Sequence, residues 1–119
     1  MRALWLVSFL FAVVGCGSDT LDDTTYRRLP DRFDSYDQCL AEGNFAACYQ
    51  TLTFCADGRA NANLDFRQEG RYHLYDDSHA IAELPYIHVV FDLQTASSKD
   101  LPGRHPWELV EPLSVDCAK

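Results

Sequence analysis

From residue 47 onward, apolar residues recur at every second position, which is the period of a half-buried β-strand. Turn-forming residues interrupt this alternation at the spacing of β-hairpins. The alternating runs are Leu52 and Phe54; Ala60, Ala62, Leu64 and Phe66; Tyr72 and Leu74; Ala80, Ala82 and Leu84; Ile87, Val89, Phe91 and Leu93; and Leu113, Val115 and Cys117. The pattern predicts an all-β domain, a small antiparallel barrel or sandwich of six to seven short strands.

The first hairpin allows its register to be predicted. A two-residue loop at Asp57-Gly58 would pair Phe54 with Asn61 and place an apolar residue opposite a polar one. A three-residue loop over residues 56–58 pairs Phe54 with Ala60 and places Gly58 at the left-handed bulge position. Because paired residues share a face of the sheet, we expect the three-residue loop, with Asn61 on the solvent face.

The region before the strands is predicted to hold one short helix. Ser35 and Gln38 have the spacing of a capping box, and Gly43 provides a stop, so a helix is expected over residues 36–42. Residues 17–34 are polar and rich in charge, which is typical of a flexible spacer. The predicted organisation is therefore a leader over residues 1–15, a tether over 16–34, and a β domain over 35–119.

The leader has the features of a signal peptide. Arg2 precedes an apolar stretch of 12 residues, 3–14, which is too short for the roughly 20 residues that span a bilayer. Val13-Val14-Gly15-Cys16 then resembles the lipobox of bacterial lipoprotein precursors. The resemblance implies that Cys16 is lipidated and becomes the mature N-terminus, which anchors the protein to a membrane. Gly17 follows Cys16 instead of Asp, which by resemblance to enterobacterial sorting implies the outer membrane.

The four remaining cysteines indicate an oxidising compartment. An even number of cysteines in a small exported domain is typical of structural disulfides, and three pairings are possible. We favour Cys39–Cys48, which closes a local loop, with Cys55–Cys117, which ties the C-terminus to the sheet. No cysteines have the close spacing of a zinc site or of a redox C-x-x-C motif.

The net charge of the chain limits the kinds of partner that it is expected to bind. The chain has 10 Lys and Arg against 18 Asp and Glu, a formal net charge of -8. Nucleic-acid binding depends on clustered basic residues, so no nucleic-acid partner is expected. The expected partners are the membrane, through the N-terminal lipid, and a protein or small molecule bound by the β domain.

Two segments of the β region resemble a known meander. Residues 52–58, which end in Asp57-Gly58, and residues 69–72, which contain Gly70 and Tyr72, are similar to the strand turns of lipocalin-like bacterial lipoproteins. The resemblance implies a meander fold and does not identify a ligand.

The sequence contains none of the common hydrolase, zinc-protease, P-loop or dinucleotide-binding motifs. No cofactor, metal or catalytic residue is therefore predicted, and His73 and His88 are expected to face solvent. Tyr49, Tyr75 and Tyr86 fall on the outer face of the predicted sheet. They form either a recognition surface or a face covered by other parts of the chain.

These features favour a non-enzymatic lipoprotein of the outer membrane that serves as a binding or structural module. The alternative is an acidic inhibitor of a periplasmic enzyme, because the charge and Cys117 resemble lipoprotein inhibitors of the basic c-type lysozyme. Their Ser-Gly-x-x-Tyr loop is absent from this sequence.

Overall fold

The computed structural model describes residues 20–43, 48–111 and 117. Within them, seven strands form one antiparallel sheet, accompanied by one short helix, α1 (Tyr36–Ala41). The strands are β1 (Thr24–Arg28), β2 (Gln50–Phe54), β3 (Arg59–Asn63), β4 (Arg67–Asp76), β5 (His79–Glu83), β6 (His88–Asp92) and β7 (Glu108–Val110). The all-β prediction is confirmed. Across the described part of the chain, no helix has the length and apolar character needed to cross a membrane.

The strand order follows the chain except at its end. The order across the sheet is β6-β5-β4-β3-β2-β1-β7, so five consecutive antiparallel pairings lead from β1 to β6. The last strand, β7, returns to the far side of β1, where Thr25 pairs with Val110 and Arg27 with Glu108. Segments that are distant in sequence therefore meet around β1.

The sheet curls into a half-barrel whose concave side is filled with aromatic rings. Tyr26 on β1 and Phe91 on β6 are separated by four strands in the sheet, yet their ring centroids lie 4.7 Å apart. Phe54 packs beside both rings, 6.4 Å from Tyr26 and 5.9 Å from Phe91, and lies 4.9 Å from Tyr72. The concave side is thus a packed hydrophobic core, which burial of these side chains stabilises.

The first hairpin has the predicted register. Phe54 pairs with Ala60. The backbone N–H of Cys55 donates to the Arg59 carbonyl at 2.9 Å, which leaves a three-residue turn. Gly58 has a φ of 92°, in the region that favours glycine. The three-residue loop is therefore confirmed.

The strand after this hairpin is shorter than its pattern predicts. β3 ends at Asn63, and the chain turns through residues 64–66 into β4, so Phe66 is 53% exposed instead of facing the core. The predicted exposure of Asn61 is also wrong, because this side chain is only 4% exposed and its Oδ1 accepts a hydrogen bond from Arg67 Nη2. Asn61 pairs across the strands with Thr53, which is also buried, so the convex face is partly covered.

Gly70 lies inside β4. A side chain at this position would clash with the carbonyl of Glu83 on β5, so only glycine allows the two backbones to approach this closely. This strand is a continuous ten-residue element that begins before Gly70 and includes the predicted run at Tyr72 and Leu74.

Helix α1 begins as predicted and ends one residue earlier. Ser35 Oγ accepts a hydrogen bond from the Gln38 N–H at 3.1 Å, and Gln38 Oε1 accepts one from the Asp34 N–H at 2.5 Å. Gly43 has a φ of 79°, which is typical of a residue that terminates a helix. The N-terminal cap at Ser35 is therefore confirmed, whereas the reciprocal bond of Gln38 goes to the Asp34 N–H instead of the Ser35 N–H.

Both disulfides have the favoured pairing. Cys39–Cys48 joins α1 to the segment before β2, and Cys55–Cys117 spans 62 positions of the sequence. The Cys117 carbonyl also accepts a hydrogen bond from Arg59 Nη2 at 2.6 Å. The C-terminal cysteine is thus held against the first hairpin by a covalent and a polar contact.

The prediction of a flexible tether up to residue 34 is wrong. β1 lies between β2 and β7 in the sheet, and Phe33 is 1% exposed. The segment just before β1 is also fixed, because the Leu21 N–H donates to the Tyr72 hydroxyl at 2.7 Å and Thr20 Oγ1 donates to the Ala56 carbonyl at 2.9 Å. Burial and cross-strand pairing of residues such as Tyr26 outweigh the polar composition of this segment. The leader, Cys16, and the predicted strand at Leu113 and Val115 lie outside the described residues.

Candidate functional site

Four segments of the chain meet at one end of the half-barrel and form a cleft of about 380 Å³. They are the end of β1 with the residues after it, the start of β2, the turn between β3 and β4, and the loop before β7. The charged and amide side chains that line the cleft are Arg28, Asp31, Arg32, Gln50, Asp65 and Asp100. We call it the Arg28 cleft.

Arg28 is the most buried charged residue in this cleft, at 8% exposure. Its Nε donates to Gln50 Oε1 at 2.8 Å, across the β1–β2 pairing, and its Nη1 donates to the Leu101 carbonyl at 2.7 Å. The guanidinium carbon lies 4.6 Å from the centre of the Trp107 ring, a cation–π contact. These contacts fix the guanidinium in one orientation at the end of the aromatic core.

The third nitrogen of Arg28 is left available. Among the described residues, none accepts a hydrogen bond from Nη2, and none places a carboxylate within ion-pair distance of the guanidinium. Burial lowers the pKa of Arg28 from its ordinary value, and the nearby carboxylates of Asp31 and Asp65 oppose that shift. A buried cation without a direct counter-ion costs stability, which favours the binding of an acceptor from outside the chain.

The wall of the cleft is held by Arg104. Its backbone N–H donates to Asp31 Oδ1 at 2.9 Å, and its guanidinium donates to the Asp31 and Phe33 carbonyls and to Asp34 Oδ1 at 2.7 Å. Gly103 packs directly against Arg28, because a Cβ there would lie 2.8 Å from Nη1. The loop before β7 is thereby fastened to the segment after β1.

The acidic residues of the cleft differ in how far they are engaged. Asp100 Oδ2 accepts a hydrogen bond from the Val90 N–H at 2.8 Å, which caps the outer edge of β6. Asp31 accepts from Arg104, as described above. Asp65 is exposed and makes no hydrogen bond or ion pair within the described ranges. Arg32 is also exposed and makes no hydrogen bond or ion pair there, and its guanidinium lies over the Phe33 ring. The cleft therefore offers a free carboxylate and a free cation beside Arg28.

A second polar cluster surrounds His79 at another edge of the sheet. Its Nδ1 lies 2.9 Å from Asp76 Oδ1 and 3.2 Å from Ser78 Oγ, and its Nε2 lies 3.6 Å from Asp92 Oδ2. A hydrolase triad needs a serine and a carboxylate hydrogen-bonded to opposite ring nitrogens. Here Ser78 shares Nδ1 with the hydrogen-bonded carboxylate of Asp76, and the Asp92 carboxylate at Nε2 lies beyond hydrogen-bond distance. The hydrogen bond from His79 lowers the pKa of Asp76. This arrangement stabilises the β4–β5 turn and does not activate Ser78.

Asp23, Cys55 and Cys117 approach one another with the spacing of metal ligands. Both cysteines are joined in a disulfide, so neither sulfur is a thiolate. This cluster is a structural contact of the C-terminus.

The three tyrosines of the predicted recognition surface have different neighbours in the structure, and Tyr75 and Tyr86 are exposed. Tyr49 stacks on Tyr36 at 5.2 Å beneath the Arg27 guanidinium, whereas Tyr86 contacts Phe66 at 5.5 Å. Tyr75 lies near the start of β5 and Tyr86 lies beyond its end, so the length of a strand separates them. His73 and His88 are exposed, as predicted.

The sequence pattern does not predict Arg28 as a site residue, because the polar composition of residues 17–34 predicts a flexible tether there. A local signal exists, since Thr24, Thr25 and Tyr26 have side chains that favour strands. Arg28 then follows Tyr26 at the two-residue period that places both on one face. The hydrogen bonds and the acids around Arg28 come from segments up to 73 positions away, which local patterns do not predict.

No protein-family model matches the chain, and neither does any curated protein or solved structure. The geometry of the Arg28 cleft is therefore the basis on which a function is proposed.

Proposed function

We propose that this protein is a lipid-anchored protein of the bacterial outer membrane that binds a small polar ligand in the Arg28 cleft without converting it. The observation that carries the binding role is the buried guanidinium of Arg28, held in place by two hydrogen bonds and with Nη2 open. A fixed, partly desolvated charge in a concave site is a feature of small-ligand recognition.

The location is supported by sequence and by the disulfides. Val13-Val14-Gly15-Cys16 resembles a lipobox, and two disulfides are typical of an oxidising compartment. Only residues 17–19 separate Cys16 from Thr20, which is the first of the described residues and is hydrogen-bonded to the β domain. Four backbone steps reach at most about 14 Å, so a lipid at Cys16 would keep the domain close to the membrane surface.

The anchor is tested by metabolic labelling with a radioactive fatty acid. We expect the wild-type protein to be labelled and the Cys16→Ser variant to be unlabelled. Equal labelling of the two proteins would contradict the lipid anchor.

The binding role is tested by thermal unfolding in a protein-free small-molecule extract of bacterial periplasm. A ligand at ten times its Kd stabilises a protein by about 1.4 kcal/mol, which corresponds to a rise in Tm of several degrees. We expect this rise for the wild type and not for Arg28→Lys, which retains the charge and loses the planar fork. No rise in either protein, or the same rise in both, would contradict binding in the cleft.

A further inference from the structure

We infer that the Arg28 cleft binds a small zwitterion, an α-amino acid with an apolar side chain. This inference rests on the proposed function, because it names the ligand class of the same cleft. The ligand would place its carboxylate on Arg28, its ammonium group near Asp65, and its side chain among the apolar residues of the wall.

We place the carboxylate of the ligand on Arg28 because one nitrogen of this guanidinium has no hydrogen-bond acceptor within the described residues. Gln50 and the Leu101 carbonyl occupy Nε and Nη1, which fixes the plane of the guanidinium and leaves Nη2 as a donor without an acceptor in the described ranges. Hydrogen bonds between a guanidinium and a carboxylate are charge-assisted and strong. Arg28 as a residue is 8% exposed, and Nη2 is not among the buried unpartnered atoms of the described residues, so a ligand in the cleft can reach this donor.

We place the ammonium group of the ligand near Asp65 because of the balance of charges that line the cleft. Three carboxylates, Asp31, Asp65 and Asp100, line the cleft against two guanidinium groups. A ligand with only negative charge would meet an excess of like charge, and a ligand with only positive charge would leave Arg28 unpaired. Asp65 is the carboxylate that makes no bond within the described ranges. A zwitterion satisfies Arg28 and Asp65 together and adds no net charge.

The size and the remaining walls favour a single amino acid. The cleft volume of about 380 Å³ lies near the lower end of small-ligand sites, which begin at about 300 Å³. Pro30, Leu64, Leu101 and Pro102 complete the lining. Pro30 and Leu101 are buried, so Leu64 and Pro102 present the accessible apolar surface of the wall, a small area that an aliphatic side chain can contact.

The test uses the full-length lipoprotein in detergent micelles and isothermal titration calorimetry. The three probes are L-leucine, 4-methylpentanoate, which lacks the amino group, and 3-methylbutylamine, which lacks the carboxylate. We expect L-leucine to bind at least tenfold more tightly than either probe that has one charge.

Two variants assign the charged ends of the ligand. Asp65→Asn should weaken leucine binding at least fivefold and should leave the affinity for 4-methylpentanoate unchanged or higher. Arg28→Lys should weaken both leucine and 4-methylpentanoate. Asp77→Asn makes the same change in the exposed β4–β5 turn and should bind leucine like the wild type. Because Asp65 is exposed, its variant is informative even where Arg28→Lys does not fold.

Three results would overturn the inference: tight binding of 4-methylpentanoate or 3-methylbutylamine equal to that of leucine, unchanged leucine binding in Asp65→Asn, or no binding of leucine. In the first case the cleft is a site for a different ligand class, and the proposed binding role stands. In the other cases, the thermal shift in periplasmic extract decides separately whether the proposed function also fails.

Discussion

The aromatic core and the Arg28 cleft lie on the same concave side of one sheet, and β1 contributes to both. Tyr26 is 6% exposed among aromatic rings, whereas Arg28, two residues later, is 8% exposed among polar groups. The core is stabilised by burial and ring packing. The cleft holds a cation without a direct counter-ion, which costs stability. This difference indicates that the core maintains the fold, and it is the reason that we propose the cleft as the binding site.

The comparison predicts a large loss of stability when the core is truncated. Phe91 is fully buried and contacts Tyr26, Phe54 and Trp107. Phe91→Ala should lower the free energy of unfolding by about 3–5 kcal/mol, as measured by denaturant titration. Its neighbour Val90 is 42% exposed, so Val90→Ala should cost less than about 1 kcal/mol. Equal losses for the two variants would contradict the assignment of the core.

The two disulfides should also contribute unequally to the stability of the fold. Cys55–Cys117 spans 62 positions and fastens the C-terminus to the hairpin that carries Phe54, whereas Cys39–Cys48 spans 9 positions. By the chain-entropy model, replacing both cysteines of the longer loop with alanine should cost about 4 kcal/mol, against about 2.6 kcal/mol for the shorter. Denaturant unfolding of the two double variants measures this. A larger loss for the Cys39–Cys48 pair would reverse the predicted order.

The cleft should show the opposite behaviour, with a small loss of stability and a large loss of binding. Arg104 is about half exposed and fastens the cleft wall through contacts with Asp31, Phe33 and Asp34. Arg104→Ala should reduce the free energy of unfolding by about 1–2 kcal/mol. We expect it to weaken leucine binding at least tenfold in calorimetry, because the wall beside Arg28 is released. Unchanged binding would show that this wall does not shape the site.

The smallest effect is expected at the His79 cluster, which lies apart from the cleft. The hydrogen bond from His79 lowers the pKa of Asp76 below its ordinary value of 3.8, and hydrogen bonding by the Thr95 N–H lowers the pKa of Asp92. A carboxyl whose folded pKa is lowered stabilises the fold above its unfolded pKa. This contribution is lost as the pH falls through the folded pKa.

We therefore expect the stability of the wild type to decline from about pH 4 downward, and Asp76→Asn to show a shallower decline. Denaturant titrations at several pH values measure it, with Asp77→Asn as the control in the same turn. A pH profile of Asp76→Asn that coincides with that of the wild type would contradict the role of this contact.

The sequence predicted the fold better than the site, for a physical reason. The period of two and the turn chemistry at Gly58 act over a few residues, so strands β2 to β6 and the first hairpin register could be deduced. The strand β1 was missed because its polar composition is outweighed by pairing with β2 and β7.

The cleft depends on contacts between residues that are far apart in the sequence. The two-residue alternation of apolar positions does not predict such contacts. Arg28 reaches the Leu101 carbonyl, and Arg104 reaches Asp31, both across 73 positions. The curl of the sheet and the loop before β7 create this proximity. The predicted exposure of Asn61 is wrong for the same reason. The alternation of residues in β3 does not reveal that other parts of the chain cover this side of the sheet.

The separation between core and cleft is tested most directly by NMR titration of the ¹⁵N-labelled full-length protein with L-leucine. The Arg28 Nε–H donates to Gln50, so its resonance and the Gln50 side-chain amide report on the cleft. We predict saturable shifts at these groups and at the amides of Asp65 and Leu101, with Phe91 and Tyr75 unchanged. Shifts confined to residues outside the cleft, or an Arg28 resonance that does not respond at saturating leucine, would contradict the account.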